Sequence, residues 1–470
     1  MKKTKILATY GPAIASQRTV AQIVTAGANC FRVNCSHGDR TTFTEAVGTI
    51  RKASKNAPYP VGVLFDISGP KLRLDRFQGQ LMLSAGDSLT LSVAKSDLPK
   101  RLIGVNHPAI IKSIAKGQRV FIDDGAIALE VLSTGTSSAK LRAINSGVLL
   151  PGKGVNLPDS KIGIPTIGAK DRADIKTAVE LGADFLALSF VRSPEDVKLA
   201  RKLVKQYGGN QRIISKLEKR DAIEDLDLIM ELSDGVMVAR GDLGVEMPPE
   251  ELPRLQKRII AMANRQSKIV IVATQMLESM RFSPRATRAE INDVASAVFD
   301  LADVVMLSAE TASGKYPLEA VKTMAAVIEA TERGKLANET EAISRNVRFS
   351  DSMAIARLVS RASDNRDVPV IFAFTTSGFT AALISNLFPP QPIIALTPHE
   401  QVQRQCSLLR SVYAIKISQP GSFEGMLAAV NRLSKKYYLA KPGQHVIITG
   451  GAPFGSTVAT NFMMFHEVKK

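Results

Sequence analysis

Short runs of apolar residues, most of them branched, recur along the chain and end abruptly in polar or charged residues. Eight of these runs alternate with amphipathic stretches of helical period. They occupy residues 4–8, 30–33, 61–65, 185–190, 212–216, 235–238, 269–273 and 304–307. Fully apolar strands are typical of a parallel sheet buried on both faces, and their alternation with helices indicates βαβ units. Eight units in residues 1–68 and 166–335 predict an α/β fold, a closed (β/α)8 TIM barrel whose polar strand ends form one ring.

The alternation is broken between residues 69 and 165. Short strand-like pieces at residues 81–83, 89–91, 120–122 and 128–132 are separated there by turns that contain glycine. This spacing predicts a small all-β module inserted into the barrel. We expect the module to be a small β-barrel that acts as a lid.

A second α/β pattern follows the barrel after a polar, charged connection. Residues 345–470 are predicted to form a separate C-terminal α/β domain. A division into domains is expected, because 470 residues exceed what one hydrophobic core usually supports.

Composition narrows the classes of function. The net charge of +17 suits nucleic acid, a membrane surface or an anionic substrate. The basic residues are dispersed among acids and there is no Trp for base stacking, so we expect no specific nucleic-acid binding. No apolar run approaches the roughly 18 residues that span a bilayer. The start leads into a strand rather than a signal peptide, so a cytoplasmic protein without a membrane segment is expected.

The stretch from residue 212 to 246 carries the strongest chemical signal. Two predicted strands in this stretch end in charged residues. They are Lys216 and Glu218 at the end of the first strand, and Arg240 and Asp242 at the end of the second. Neighbouring parallel strands would bring these four side chains together. Two carboxylates beside a lysine and an arginine suit a hard cation such as Mg²⁺ and an anionic ligand. The alternative is a pair of strand-end salt bridges. Three scattered cysteines and five isolated histidines form no metal cluster, so a metal would be held by oxygen.

Seven segments resemble the signature segments of the pyruvate kinase family. They are residues 32–38 (RVNCSHG), 214–218 (ISKLE), 237–244 (MVARGDLG), 273–280 (ATQMLESM), 287–290 (TRAE), 307–311 (LSAET) and 316–320 (YPLEA). The resemblance is specific from Lys5 to about Glu329, including the insertion, and is looser in the C-terminal domain. It implies phosphoryl transfer from phosphoenolpyruvate to ADP, giving pyruvate and ATP. It also implies a homotetramer.

The resemblance implies a role for each of several polar residues in the ring. Glu218 and Asp242 would bind Mg²⁺ or Mn²⁺, Lys216 would stabilise the transferred phosphoryl group, and Arg32 would bind its phosphate oxygens. The turn at Arg240, Gly241 and Asp242 would bind the substrate carboxylate. Thr274 would lie beside the enol, and Ser308 with Glu310 would belong to a proton relay. For Thr274 the alternative is a strand-end hydroxyl bonded to backbone.

The sequence has neither a Walker A motif nor a Rossmann glycine fingerprint, so ADP must be held in another way. Family analogy points to six residues, each of which could also be structural. They are Pro12, Arg32, Asn34, His37, Arg73 and Lys153.

One departure from the family concerns K⁺. Many members read Asp-Thr-Lys-Gly-Pro-Glu where this chain has residues 66–71 (DISGPK). In the family the final Glu accompanies a K⁺ requirement, whereas Lys accompanies K⁺ independence. We expect the Lys71 ammonium to replace K⁺, so that no K⁺ is required. Asn34, Ser36, Asp66 and Ile67 would be the remnant of the monovalent site.

The C-terminal domain of the family often binds a regulatory phosphate. Thr375, Thr376, Ser377, Gly378 and Thr380 could bind one phosphate at a helix N-terminus. Phe379 stands where arginine is common, and Gly451-Ala452 replaces a Trp-Arg pair, so activation by fructose 1,6-bisphosphate is not expected. A sugar monophosphate, a nucleotide or no effector all remain open, and an ordinary helix cap is the alternative.

Two other functions compete with this interpretation. The same scaffold could serve another transferase that uses phosphoenolpyruvate, because a fold alone does not define a reaction. A non-enzymatic protein could instead use the basic surface, and it would bind nucleic acid with a strong dependence on salt.

Overall fold

The computed structural model describes residues 2–333, 350–365, 367–453 and 458–469. The predicted connection between the barrel and the C-terminal domain lies outside these residues.

The first part of the barrel alternates strands and helices, as the apolar runs predict. Its elements are β1 (Lys5–Thr9), a 3-10 turn (Pro12–Ile14), α1 (Gln17–Thr25), β2 (Ala28–Asn34), α2 (Arg40–Ser54) and β3 (Gly62–Ile67). Both helices begin at a side-chain cap: the Ser16 hydroxyl accepts a hydrogen bond from Thr19 N, and the Asp39 carboxylate accepts one from Thr42 N. Such caps satisfy N–H groups that the first helical turn leaves unpaired.

The inserted module is built mainly of strands. Its elements are β4 (Leu81–Leu83), β5 (Ser88–Ser92), β6 (Leu102–Gly104), α3 (Ala109–Ser113), β7 (Arg119–Ile122), β8 (Ile127–Thr134), β9 (Ser138–Ala143), β10 (Gly147–Leu149) and β11 (Val155–Asn156). They pair into a six-stranded sheet, β11-β7-β8-β9-β5-β6, and a two-stranded sheet, β10-β4. The module has an apolar core of its own. Its description as a β-barrel and as a lid stays a prediction.

The barrel resumes after the insertion and completes its ring of strands. The strands are β12 (Phe185–Leu188), β13 (Arg212–Leu217), β14 (Gly235–Ala239), β15 (Ile269–Ala273) and β16 (Val304–Leu307). The helices are α4 (Ala169–Glu180), α5 (Pro194–Gln206), α6 (Arg220–Glu224), α7 (Leu226–Leu232), α8 (Arg240–Glu246), α9 (Leu252–Arg265), α10 (Arg288–Phe299), α11 (Ala309–Ala312) and α12 (Pro317–Arg333), with 3-10 turns at Pro249–Glu251 and Glu278–Arg281.

Eight parallel strands close the barrel in the order β1-β16-β15-β14-β13-β12-β3-β2. All eight strands predicted from the apolar runs are present, so the predicted fold class is confirmed. Because the strands are parallel, their carboxyl ends meet on one face, where such barrels carry their active sites. Among the described residues, no helix has the length and apolar character needed to cross a membrane.

The C-terminal domain is a five-stranded sheet flanked by helices. Its strands are β17 (Ile371–Phe374), β18 (Ile393–Thr397), β19 (Val412–Lys416), β20 (His445–Gly450) and β21 (Phe462–Glu467), ordered β19-β18-β17-β20-β21 with β21 antiparallel. Its helices are α13 (Asp351–Asn365), α14 (Phe379–Ser385), α15 (Glu400–Gln405) and α16 (Phe423–Lys436), with a 3-10 turn at Cys406–Leu408. Helix α16 is not among the elements predicted from the sequence.

The C-terminal domain packs against the amino-terminal end of the barrel through an apolar core that the two parts share. Buried polar contacts accompany it. The Lys5 ammonium donates to the carbonyl oxygen of Val412 at 2.8 Å and lies 4.0 Å from the centre of the Tyr413 ring. Arg410 is almost completely buried, with its guanidinium 3.7 Å from the Glu332 carboxylate. These contacts bind the domain to the base of the barrel, opposite the ring of polar strand ends.

Asp303, at the same base, generates a prediction about pH. Burial raises the pKa of its carboxyl to about 7, although the Val270 N–H and the Arg410 charge oppose the shift. An unfolded aspartate titrates near about 3.9. The folded chain therefore binds the proton more tightly, and this contribution to stability is present below about pH 4 and is lost as the pH rises through about 7. We expect Asp303→Asn to raise the free energy of unfolding at pH 8, by up to about 4 kcal/mol, with little gain at pH 4.

Urea unfolding of both proteins at pH 4 and pH 8 measures this difference. Asp367→Asn, at an exposed position of the C-terminal domain, is the matched control and is expected to change neither value. An equal effect of Asp303→Asn at the two pH values would contradict the prediction.

Candidate active site

The Asp66 carboxylate, in β3, lies at the centre of the polar ring. It is 1% exposed, and it accepts hydrogen bonds from Arg32 Nε at 2.7 Å and Lys216 Nζ at 3.2 Å. Arg32 Nη2 lies 2.6 Å from the same carboxylate. Burial alone would raise the pKa of Asp66, but the charges of Lys216 and Arg32 outweigh it and hold the pKa at about 2. Asp66 is therefore an anion that fixes two cations from neighbouring strands.

Lys216, in β13, has an acceptor for each of its three ammonium protons. Its Nζ lies 2.8 Å from Glu218 Oε1, 2.9 Å from Ser189 Oγ and 3.2 Å from Asp66 Oδ1. Burial lowers the pKa of the lysine, yet the carboxylates of Asp66 and Glu218 raise it above its ordinary value. Lys216 is thus a buried, permanently charged group at the mouth of the barrel.

Two carboxylates beside Lys216 suit a divalent cation. Glu218 is buried at the end of β13, and Asp242 lies in the first turn of α8 after the neighbouring strand β14. Burial raises the pKa of each carboxyl, and the negative charge of Asp242 contributes to the shift at Glu218. The Asp242 carboxylate has no hydrogen-bond or ion-pair partner among the described residues. A bound cation would relieve this repulsion between the carboxylates.

The described residues contain no group of three or more His, Cys, Asp or Glu side chains that could hold a metal ion. The protein would therefore supply two carboxylates, and substrate and water would supply the remaining oxygen ligands. Mg²⁺ is usually bound in this way, through one or two carboxylates, several waters and substrate phosphate oxygens. The residues present fit such an ion.

The turn at Arg240 and Gly241 is held by Thr274, at the end of β15. The Thr274 hydroxyl accepts a hydrogen bond from Gly241 N at 2.8 Å and donates one to the carbonyl oxygen of Ala273 at 2.6 Å. Arg240 contacts the Thr274 carbonyl oxygen at 2.7 Å and the Asp293 carboxylate at 2.6 Å. Thr274 has φ +69, a strained conformation for a β-branched residue. The side chains of Arg240 and Thr274 thus both hold the turn, and a role of Thr274 beside the enol stays a prediction.

Ser308 and Glu310 lie at the end of β16. The Glu310 carboxylate is fully buried and accepts hydrogen bonds from Ser308 N at 2.7 Å and Leu277 N at 3.2 Å. Burial raises its pKa. The Ser308 hydroxyl is buried and has no hydrogen-bond partner among the described residues. An unpaired buried hydroxyl beside a carboxyl of raised pKa is a suitable place for a relayed proton.

The structure separates the candidate nucleotide residues into two groups. Arg32 and Asn34 lie on the barrel, where the Asn34 side chain accepts a hydrogen bond from Ser36 N at 3.0 Å. Pro12, after β1, and His37, after β2, also belong to the barrel, and both are exposed. On the module, Arg73 donates to the carbonyl oxygen of Gly152 at 2.8 Å, and Lys153 forms an ion pair with Asp123 at 2.9 Å.

A cavity of about 210 Å³ lies between the module and the barrel. Its lining includes Arg73, Lys71 and Asp124 from the module and Asp242 from the barrel. Lys153 is not among its lining residues. The structure therefore brings Arg73, but not Lys153, to the cavity that contains a candidate metal ligand.

Lys71 lies at this cavity without a hydrogen-bond or ion-pair partner for its ammonium among the described residues. Partial burial lowers its pKa, as do the charges of Arg73 and Lys216, whereas Asp66 and Asp242 act in the opposite direction. Its charge therefore acts on the same carboxylates as Lys216. Of the expected remnant of the monovalent site, Asp66 and Ile67 are buried, while Asn34 and Ser36 are half-buried.

The candidate effector loop runs from Thr375 to Thr380 and borders a cavity of about 360 Å³. The Thr375 hydroxyl accepts a hydrogen bond from Gly378 N at 2.8 Å, and the Thr380 hydroxyl pairs with that of Thr460 at 2.7 Å. Gly378 has φ +82, which favours glycine. Thr376 and Ser377 are exposed. The Ser377 hydroxyl accepts a hydrogen bond from Phe379 N at 3.4 Å. Three of the four hydroxyls thus make hydrogen bonds within the protein, and an effector site here stays a prediction.

Sequence reasoning missed two neighbouring residues, Ser189 and Phe190. Ser189 contacts both Lys216 and Asp66, and Phe190 N donates to Glu218 Oε2 at 2.8 Å. The apolar run was interpreted as a strand through residue 190, but β12 ends at Leu188. The signal that could have found them is the rule that found Lys216, a polar residue at the carboxyl end of a barrel strand.

The (β/α)8 barrel carries a buried lysine, an arginine and two carboxylates at its carboxyl-terminal face, and the similarities that follow show that the chain is a phosphotransferase. Residues 1–321 match the family described as "Pyruvate kinase, barrel domain", and residues 353–466 match "Pyruvate kinase, alpha/beta domain". The chain belongs to the pyruvate kinase family.

Individual relatives agree with this assignment. The chain is 39% identical over 474 residues to a pyruvate kinase of Geobacillus stearothermophilus, with 99% of this chain and 80% of the relative covered. It is 39% identical over 475 residues to a pyruvate kinase of Agrobacterium vitis, with 99% and 97% covered. The crystal structure of a pyruvate kinase from Cryptosporidium parvum matches with a TM-score of 0.93 at 34% identity, covering 99% of this chain and 96% of that one.

The two cations around Asp66 generate a prediction about stability. Asp66→Asn removes the anion between Arg32 and Lys216 and leaves Glu218 as the carboxylate paired with Lys216, so we expect a loss of about 3–5 kcal/mol in the free energy of unfolding near pH 7. Because the folded pKa of Asp66 is depressed to about 2, its contribution is present above about pH 4 and is lost as the pH falls through about 2. The difference between wild type and variant should therefore shrink in acid.

Denaturant unfolding between pH 2 and pH 7 measures this loss. Asp97→Asn removes a carboxylate from the exposed Lys100 pair and is expected to have little effect. An Asp66→Asn variant as stable as the wild type at pH 7 would show that the buried cluster is not held by its anion.

Proposed function

We propose that this protein transfers the phosphoryl group of phosphoenolpyruvate to ADP, giving pyruvate and ATP, with Mg²⁺ or Mn²⁺ and without a K⁺ requirement. The observation that carries the proposal is the permanently charged Lys216 between Asp66 and Glu218 at the mouth of the barrel. Membership of the pyruvate kinase family supports the reaction. By analogy with the family, we also propose a cytoplasmic homotetramer.

Glu218 and Asp242 would bind the divalent metal that members of the family generally need. When bound, Mg²⁺ or Mn²⁺ would neutralise charge on the substrate oxygens. The two carboxylates already repel each other in a buried setting, which favours a cation between them. The cation would also compete with Lys216 for the Glu218 oxygens.

In the phosphoryl step, the bond from phosphorus to the enol oxygen breaks and a bond to the terminal phosphate oxygen of ADP forms. Lys216 would stabilise the negative charge that spreads over the transferred group. Arg32, held by Asp66, would present the rest of its guanidinium to the phosphate oxygens. Arg240, Gly241 and Asp242 would bind the substrate carboxylate through the first turn of α8.

The second step protonates the enolate at carbon. Thr274 would lie beside the reacting carbon, and Ser308 with Glu310 would relay a proton. The unpaired Ser308 hydroxyl and the raised pKa of Glu310 support this assignment. A hydroxyl alone is a weak acid, so a relay through water is expected rather than direct donation by one side chain.

Pro12, Arg32, Asn34 and His37 on the barrel, with Arg73 and Lys153 on the module, would bind ADP. Closure of the module would bring these two groups together and exclude water from the reacting phosphate. The cavity lined by Arg73 and Asp242 supports a nucleotide site between the two parts. At the C-terminal domain, the loop from Thr375 to Thr380 would bind a sugar monophosphate or nucleotide effector.

The proposal that the enzyme does not require K⁺ can be tested by changing the charge at Lys71. Purified protein should form pyruvate from phosphoenolpyruvate and ADP with Mg²⁺ at the same rate in KCl and in an equimolar tetramethylammonium salt. Lys71→Glu replaces the ammonium beside Asp66 and Asp242 with a carboxylate, so we expect a variant that is nearly inactive without K⁺ and is stimulated by it. A lactate dehydrogenase-coupled assay measures both proteins.

Lys116→Glu, at an exposed turn of the module, makes the same charge change away from the cavity and should stay independent of K⁺. A wild type that works only with K⁺ would refute charge replacement by Lys71 while keeping the reaction. No pyruvate under either condition would refute the proposed function.

A further inference from the structure

Ser189 lies immediately after β12 and contacts both charged groups at the centre of the site. Its hydroxyl accepts a hydrogen bond from Lys216 Nζ at 2.9 Å and donates one to Asp66 Oδ1 at 3.1 Å. The side chain is buried, and Ser189 N donates to the carbonyl oxygen of Ile67 at 3.3 Å. The hydroxyl thus donates its one proton and accepts one hydrogen bond, and both of its partners belong to the site.

We propose that Ser189 is a positioning residue, which fixes the direction in which the Lys216 ammonium faces the transferred phosphoryl group. This inference rests on the proposed function, because it assigns to Ser189 the orientation of a group that acts in that reaction. Ser189 itself need not touch the substrate.

Asp66 alone does not define the orientation of the ammonium. Lys216 Nζ lies 3.2 Å from Asp66 Oδ1 and 3.3 Å from Oδ2, so the two oxygens are nearly equivalent acceptors. An ammonium bound only to such a carboxylate can rotate between them. Oδ2 also binds Arg32, and Oδ1 also accepts a hydrogen bond from Ser189, so both oxygens are shared with another donor. The Ser189 hydroxyl adds an acceptor for Lys216 in a fixed direction outside this carboxylate.

The third acceptor, Glu218, is the one that changes in the proposed reaction. Its carboxylate is also a candidate ligand of the divalent cation, so Glu218 would be shared between that ion and the ammonium. Asp66 and Ser189 would then be the acceptors that stay in place, and they leave one N–H of the tetrahedral ammonium free. That N–H would be available to a substrate phosphate oxygen.

The backbone at this position is also constrained. Phe190 has φ +54, uncommon for a bulky residue, and this conformation aims its N–H at Glu218 Oε2. A Cβ added to Gly69 would lie 2.9 Å from Phe190 Cδ2, so the ring packs tightly against the start of the inserted module. Strained residues persist where the surrounding structure determines them strongly. Residues 189 and 190 therefore hold Lys216 and Glu218 from one rigid turn.

Ser189→Ala tests the proposal. Loss of the acceptor should lower kcat by about 10²-fold, the size of effect that a small misplacement of a reacting group produces. The KM for phosphoenolpyruvate and the affinity for Mn²⁺, measured by electron paramagnetic resonance, should change little, since Asp242, Glu218 and Arg32 are retained. A fall in kcat and kcat/KM without a change in KM marks an interaction that acts in the transition state.

Two comparisons separate orientation from folding. Ser215→Ala removes another buried hydroxyl from β13, one that pairs with Ser233 at 2.6 Å, and should leave kcat unchanged. Ser189→Thr keeps the hydroxyl, whereas Ser189→Val has the same shape without it. The Thr variant should recover most of the activity and the Val variant should not, and this pair decides the question even if Ser189→Ala does not fold.

Wild-type kcat in Ser189→Ala, or equal kcat values for Ser189→Thr and Ser189→Val, would overturn the inference. The same assay carries the wild type as its reference. An inactive wild type would refute the proposed function, whereas an active wild type with an equally active Ser189→Ala variant would refute only the role of Ser189.

Discussion

The buried anion Asp66 and the two cations that enclose it constrain the whole carboxyl-terminal face of the barrel. A buried charge is costly unless it is paired with an opposite charge and hydrogen-bonded. Arg32 and Lys216 provide both interactions to the Asp66 carboxylate. The three residues come from β2, β3 and β13, so their pairing fixes strands that are far apart in sequence relative to one another. Shifting any one of these strands by a residue would turn its charge toward the outer face and leave the others unpaired.

The same cluster explains how the site combines high charge with a defined geometry. Lys216, Glu218 and Asp66 are held by side chains and backbone groups that are themselves buried. Strained backbone at Thr274 and Phe190 accompanies this rigidity. The apolar core shared by the barrel and the C-terminal domain lies at the end of the barrel opposite the polar ring.

Much of this arrangement could be predicted from local sequence. A buried parallel strand is a continuous apolar run, so all eight barrel strands were visible, and the polar residues after β13 and β14 identified Lys216, Glu218 and Asp242. Asp66 was predicted only as part of a monovalent site. Its role as the central anion depends on Lys216, which lies 150 residues away. Likewise, the Arg240 guanidinium is bound to Asp293 on α10, a contact that no local pattern contains.

Ser189 and helix α16 were not predicted, and the reason lies in the local sequence in each case. Ser189 was hidden because a serine and a phenylalanine after four apolar residues continue a strand pattern, whereas the left-handed turn at Phe190 ends it. Helix α16 has a serine cap and buried residues at helical spacing, Met426, Ala429, Val430 and Leu433. That signal was present and was overlooked between two more obvious strands.

The most direct test of the account is a crystal structure with Mn²⁺ and phosphoenolpyruvate, in which an anomalous difference map locates the metal. The account predicts one strong peak in contact with the Glu218 and Asp242 carboxylates, with Lys216 still bonded to Asp66. A metal bound elsewhere, or a Lys216 ammonium that has left Asp66, would contradict it.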